Sequence, residues 1–365
     1  MQIADLRASA YCIPTDRPEA DGTLGWTSTT IVVVEARDQG GHTGRGFTYG
    51  ARAAAGVIDE RLRDVVVGAD VERVQSVWDA MVGCVRNVGR QGIAASAISA
   101  VDIALWDLRA RAHEIPLYRL IGERRDRVPV YGSGGFTTYD ESELVDQMTG
   151  WVDAGIPRVK MKIGLDDGRR PSEDLRRVAA VRRAIGPDAE LFVDANGGYS
   201  ARQAIDVARG LDESAVSYFE EPVSSDELSA LAFVRNHVPM AVAAGEYGYD
   251  PWYFRSMLAA EAVDILQADA TRCLGITGFL EAASIAHAFG VPLSGHTAPS
   301  LHAQVGCAVP AIEHVEYFHD HVRIEAMLFD GVPELVAGEL QPDPGRPGLG
   351  LELKRADAER WRVAA

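Results

Sequence analysis

From about residue 128 onward, short apolar runs alternate with longer amphipathic segments, and this period constrains the fold more than any other feature of the chain. Eight runs read as strands: 128–131 (VPVY), 158–163 (RVKMKI), 190–195 (ELFVDA), 216–221 (VSYFEE), 240–245 (MAVAAG), 263–268 (VDILQA), 291–294 (VPLS) and 314–318 (HVEYF). Segments of helical spacing lie between them, among them 171–185, 200–211, 226–236 and 276–289. Strands separated regularly by helices build a parallel sheet, because parallel neighbours need a crossover. Eight such units in roughly 190 residues fit a closed barrel better than an open sheet.

The flanks read differently. Residues 1–50 carry strand signals, with β-branched Ile31-Val32-Val33-Val34 followed by Gly40, Gly41, Gly44 and Gly46, which read as turn punctuation. Residues 51–121 read as helices, the clearest being the Ala- and Leu-rich Ala94–Ala112. Strands followed by helices suggest a small α+β domain. The predicted organisation is an α+β domain over 1–125, a barrel over 126–320, and a segment 321–365 that returns to the first domain.

Composition narrows the function classes. The chain has 365 residues and a formal charge of −17, which disfavours nucleic acid and anionic membrane surfaces as partners. It does not disfavour a small anionic substrate, since one bound cation reverses the field locally. No apolar run approaches the length of a membrane span, and the N-terminal residues lack the basic-then-apolar order of a secretory signal. Cys12, Cys84, Cys273 and Cys307 are far apart and read as free thiols, so a cytoplasmic location is expected.

Catalytic groups of a closed βα barrel sit at the C-terminal strand ends. Here those ends read Lys160-Met161-Lys162, Asp194-Ala195-Asn196, Glu220-Glu221-Pro222, Gly245-Glu246, Asp269 and His296, with Glu316 in the last strand. From Lys162 to Glu316 the successive spacings are 32, 26, 26, 23, 27 and 20 residues, each about one βα unit, so these side chains converge on one rim. Charged residues often follow a strand because the chain emerges into solvent, but seven in register are a different matter. Asp194, Glu220 and Glu246 together would repel unless a hard divalent cation joined them, which suits Mg²⁺ and also Mn²⁺. Lys160 and Lys162 face the same side, and two adjacent ammonium groups lower each other's pKa, as a lysine base requires. Asp269, one unit before His296, is placed to hold the imidazole. A metal flanked by two acid/base groups suits removal of a proton α to a carboxylate, followed by racemisation or by β-elimination of a hydroxyl.

In these stretches the sequence resembles the enolase superfamily, specifically its mandelate racemase subgroup. Ala100–Asp107 and Pro347-Gly348-Leu349-Gly350 add to the resemblance, which covers essentially the whole chain. It implies a modified TIM barrel, (β/α)7β, under an N-terminal α+β capping domain completed by the C-terminal segment. It implies Mg²⁺ held by Asp194, Glu220 and Glu246. Lys162 and the His296–Asp269 pair would be the acid/base groups, Lys160 would tune Lys162, and Glu316 would hydrogen-bond a substrate oxygen. Asn196 would contact the substrate. The implied activity is dehydration of a sugar acid to a 2-keto-3-deoxy acid, with racemisation or epimerisation of a 2-hydroxy acid as the alternative. A homo-oligomer built from dimers, such as an octamer, is also implied.

Substrate choice in such enzymes lies in cap loops. The expected loop is Thr15–Ser28, with Trp26 at the substrate; Phe47-Thr48-Tyr49 and the stretch after the first barrel strand, from Tyr131 to Phe136, are further candidates. The polar character of the first loop fits a polyol. His319-Asp320-His321 resembles a metallohydrolase His-x-His but follows the last strand rather than the first, so it reads as non-ligating. A non-catalytic barrel that keeps the fold is the third class of reading; the intact set of ligands and bases speaks against it.

Overall fold

The cap begins as an antiparallel meander because its apolar residues are β-branched and alternate with polar ones. In the computed structural model, which describes residues 1–364, strands β1 (Ile3–Ala20), β2 (Gly25–Asp38) and β3 (Thr43–Tyr49) pair in chain order. Helix α1 (Ile93–Ala112) lies across β3. Gly44 and Gly46 belong to that strand rather than to a turn. A Cβ on Gly44 would sit 2.2 Å from the Ala104 carbonyl oxygen, and one on Gly46 would sit 2.2 Å from that of Ala100. These glycines therefore exist to let helix backbone touch strand backbone.

Eight parallel strands follow: β4 (Val128–Gly134), β5 (Arg158–Lys162), β6 (Glu190–Asp194), β7 (Val216–Glu220), β8 (Ala241–Ala244), β9 (Ile265–Ala268), β10 (Leu293–Gly295) and β11 (Ile312–Phe318). Each pairs with the next, and β11 closes on β4 through Val315↔Val130 to Phe318↔Ser133. The intervening helices carry their own start and stop chemistry. Pro171–Ile185 opens on proline with Glu173 and Asp174 in its first turn and ends on Arg182 and Arg183. Ala201–Leu211 is opened by a reciprocal Ser200–Gln203 capping box.

Rings fill the barrel below its polar rim. Tyr131, Phe192 and Tyr218 pack together with His314, and Phe192 stacks on Tyr218 at 4.6 Å. Any pocket must therefore lie above this plug, under the cap. The cap is fixed there by polar contacts from α1 to the first turn of the helix Gly275–Phe289, which follows β9. Asp102 accepts from the Thr277 N–H at 2.9 Å and its hydroxyl at 2.7 Å, and the Trp106 indole donates to that hydroxyl at 3.0 Å. Burial pushes the Asp102 carboxyl up to about 7, against the pull of the two Thr277 bonds.

The C-terminal segment touches both halves. A helix over His319–Leu328 leaves β11 directly, so the boundary expected at 320 falls inside it. The strand Glu339–Gln341 then pairs with the start of β4. Leu349 donates its N–H to Asp107 of α1 at 2.6 Å, and Arg362–Val363 pairs with β1. All four cysteines are free. No helix among the described residues is long and apolar enough to cross a membrane.

Candidate active site

The strand ends of the barrel bring Lys162, Asp194, Glu220, Glu246, Asp269, His296 and Glu316 to one rim, all nearly or wholly buried. Residues just past three of these ends have positive φ without being glycine: Asn196 at 44°, Glu221 at 36° and Thr297 at 50°. Such backbone is costly and clusters where side chains must be aimed. Here it turns the chain sharply after Asp194, Glu220 and His296.

Oxygens of Asp194, Glu220 and Glu246 lie within 4.8 Å of one another. Glu220 Oε1 is buried without a hydrogen-bond partner. Burial and the neighbouring Asp194 carboxylate push Glu220 well above the usual carboxylate range. An all-oxygen set with an unused buried oxygen and mutual repulsion fits a hard divalent cation.

Each of two cationic arms holds one member of this triad. On one side the Lys162 ammonium donates to Asp194. Lys160, fully buried beside it, lies 2.6 Å from Glu220 and 2.9 Å from Glu316. On the other side His296 Nδ1 bonds Asp269 at 2.9 Å while Nε2 faces Glu246 at 3.2 Å. Asp269 is itself held by the Thr271 N–H and hydroxyl, both at 2.7 Å. Strands β5 and β10 stand three apart one way round the ring and five the other, so the arms face each other across the mouth.

The charges differ from the sequence reading in one respect. The lysine pair was expected to have depressed pKa values. Burial and Lys160 do lower Lys162, but the carboxylate of Asp194 overrides both and raises it above the ordinary lysine value. Lys160 is raised in the same way by Glu220 and Glu316 against its burial. His296 is lowered by burial and lifted further by Glu246 and by its bond to Asp269, reaching about 10. The carboxylates, not the neighbouring ammonium, set the protonation of both arms as they stand here.

A cavity of about 320 Å³ opens above this rim. Lys162, Glu246, His296 and Glu316 form its base, and Asn196 lines it. From the cap come Asp21, Trp26, Ser28, Thr29 and Thr30. Of the expected loop, Asp16, Arg17 and Glu19 turn elsewhere, to His319, Glu143 and Trp26 respectively. A larger neighbouring cavity of about 480 Å³ lies behind Asn196 and Tyr247 and contains neither arm.

One expected contact is corrected. Tyr131 is fully buried in the ring plug, with its hydroxyl 3.5 Å from Lys160, and does not line the cavity. Strand β4 runs on to Gly134, so Ser133, two residues later on the same face, reaches the rim and donates to Glu316 at 2.5 Å. Glu316 also accepts the Thr297 N–H at 2.9 Å. Lys160 outweighs burial and holds its carboxyl below the usual range.

Several lining residues were not among those expected, beginning with Arg272. Arg272 lies 3.5 Å from Asp269 and 3.4 Å from Glu246, and its place one helical turn past Asp269 was the available signal. Thr297, Tyr247 and His321 also line the cavity. His321 stacks on Tyr49 at 3.5 Å and its Nδ1 accepts the Ala298 N–H, which leaves the proton on Nε2. The sequence singled it out only within His319-Asp320-His321, as a non-ligating pair beyond β11, and gave no sign that it lines the cavity.

Comparison with known proteins agrees with this fold. The family model of the mandelate racemase/muconate lactonizing enzyme N-terminal domain matches residues 15–122, and that of the enolase C-terminal domain-like unit matches 143–358. An arabinonate dehydratase of Saccharolobus solfataricus is 30% identical, with 99% of each chain covered. A 3,6-anhydro-alpha-L-galactonate cycloisomerase of Streptomyces coelicolor is 32% identical over 96% of this chain and 97% of its own. A mandelate racemase/muconate lactonizing enzyme-like protein of Rubrobacter xylanophilus superposes over the whole of both chains with a TM-score of 0.96 at 47% identity. An L-talarate dehydratase of Polaromonas sp. JS666, solved with Mg and L-glucarate, superposes at 0.89 with 29% identity, over 100% of this chain and 98% of its own. The chain is an enzyme of the enolase superfamily and belongs to its mandelate racemase/muconate lactonizing enzyme family.

Proposed function

We propose that the protein dehydrates a sugar acid to a 2-keto-3-deoxy acid, using Mg²⁺ held by Asp194, Glu220 and Glu246. The observation that carries this reading is the pair of proton-bearing arms, Lys162 and His296, facing each other across three clustered carboxylates. The relatives that dehydrate arabinonate and L-talarate support it. When bound, the cation supplies Lewis-acid stabilisation of charge that builds on the substrate carboxylate.

The chain's own residues do the rest. One arm removes the proton α to the carboxylate. The opposite arm returns a proton to the departing β-hydroxyl, which leaves as water. The resulting enol tautomerises to the 2-keto-3-deoxy acid. Asp269 keeps the His296 proton on Nδ1 in the neutral form, so Nε2 is free to accept. Lys160 balances Glu220 and Glu316 from below and leaves only Lys162 facing the substrate. Asn196, with its side-chain oxygen buried and unpartnered, and the cap hydroxyls of Ser28, Thr29 and Thr30 suit a polyhydroxy chain.

The test is a panel of mono- and diacid sugars incubated with Mg²⁺ and assayed for 2-keto acid. A product that EDTA abolishes, and that Lys162→Ala and His296→Asn both lose, supports the reading. The opposed arms equally suit racemisation, which a blank panel combined with α-hydrogen exchange in D₂O would establish instead.

A further inference from the structure

Among the described residues, two groups bring three potential ligand atoms within 4.8 Å of one another: the catalytic triad, and Asp16, Glu19 and His319. The second group bridges cap and barrel. Pairing of β1 with β2 lapses between Pro14↔Ser28 and Glu19↔Trp26, so the intervening residues leave the ladder. His319 begins the helix that leaves β11. Its Nε2 lies 3.0 Å from Asp16, at a site open to solvent on the Asp16 side.

Glu19 supplies the independent observation. It is 1% exposed, and its Oε2 accepts the Trp26 indole N–H at 2.8 Å. Its Oε1 is buried with no partner. Neither nearby cation bonds it: Arg17 pairs with Glu143, and Arg323 pairs with Asp320 and the Pro14 carbonyl. Burial and the charge of Asp320 push the Glu19 carboxyl up to about 8, against the Trp26 bond and the more distant charge of Arg323.

We propose that Asp16, Glu19 and His319 form a second divalent-cation site, of the Zn²⁺ or Mn²⁺ type, that fastens the cap loop to the barrel rim. One imidazole nitrogen with two carboxylates favours a first-row transition ion over Mg²⁺. The ion takes the unused Glu19 oxygen and replaces the direct His319–Asp16 bond. Because Glu19 also holds Trp26, which lines the catalytic cavity, occupancy fixes one wall of that cavity.

The test uses the full chain with its catalytic triad silenced by Asp194→Asn and Glu220→Gln, titrated with Zn²⁺ and with Mn²⁺ in excess Mg²⁺. The expected result is one transition ion per chain, with a rise in melting temperature on binding. Adding His319→Gln, which keeps a hydrogen-bonding side chain, is expected to abolish both, as is adding Glu19→Gln. Melting in EDTA shows whether each variant is folded. No binding to the silenced protein overturns the proposal, as does equal binding to a folded His319→Gln variant.

Discussion

The two arms of the active site hold their protons by different means. His296 has a partner of its own: Asp269 is not one of the clustered carboxylates, and it is braced by Thr271 and approached by Arg272. Lys162 has none, since its close carboxylate is Asp194, a proposed metal ligand, and its other neighbour is the like-charged Lys160. Cation binding therefore acts unequally on them. Asp194 would then hold the cation rather than Lys162, and an ammonium beside Lys160 and a cation would release its proton more readily. Glu246 would likewise turn to the cation, but His296 would keep Asp269. On the proposed reading, the protonation of the lysine arm would depend on the metal, whereas the histidine arm would keep its protein partner.

The largest expected effect separates the arms by what each can still do. Lys162→Ala and His296→Asn are each expected to reduce dehydration by about 10⁴-fold, the upper range for a general acid/base group. They should differ in α-hydrogen exchange, followed by NMR in D₂O. The variant lacking the abstracting arm loses exchange with turnover. The variant lacking the opposite arm keeps exchange while losing turnover. Loss of exchange in neither variant would break the two-arm reading.

A smaller effect probes the histidine arm's private partner. Asp269→Asn removes the charge that supports His296 and is expected to cost about 10²-fold in turnover. Its Mg²⁺ affinity should stay close to that of the unaltered chain, because Asp269 is outside the triad. A parallel collapse of Mg²⁺ affinity, measured by calorimetry, would show that the arms are not independent.

Protonation sharpens the comparison further. In the cation-free protein the folded pKa of His296, about 10, lies above its ordinary value of 6.5. The native state then binds more protons than the unfolded state, so the stability this group contributes is full below about 6.5 and is lost as pH rises toward about 10. Melting in EDTA should show that loss, and His296→Asn should flatten it. A bound cation opposes the protonated forms of Lys162, His296 and Glu220 alike. Mg²⁺ affinity should therefore rise with pH, by up to about tenfold per unit for each proton released.

Much of this rim was legible in the chain because a βα period indexes strand ends, and the polar residue at each end needed only counting. Depth was less legible. Tyr131 and Ser133 share a face of β4, and reading the strand as ending at 131 placed the substrate contact one layer too low, in the ring plug. Protonation was also hidden: adjacent lysines suggest mutual depression, and only the fold shows that Asp194 and Glu220 pair directly with them. Gly44 and Gly46 misled for a related reason. Glycine marks either a turn or a close approach, and the approaching α1 backbone comes from more than fifty residues away. His321 entered the cavity from a helix beyond the last strand, where the period no longer indexes anything.

The smallest effect belongs to the cap. Trp26 lines the cavity but holds no proton for transfer and no triad oxygen; its indole N–H goes to Glu19. A residue that grips the substrate equally before and during the reaction affects KM rather than kcat. Trp26→Ala is therefore expected to raise KM by roughly three- to tenfold with kcat nearly unchanged. Trp26→Phe keeps the ring and loses only the bond to Glu19, so it separates wall contact from loop anchoring. If Trp26→Phe alone reproduces the full KM effect, the anchoring through Glu19 matters more than the ring surface. A fall in kcat comparable to that of the arm variants would instead place the cap within the proton-transfer machinery and erase the contrast between a rim that reacts and a wall that selects.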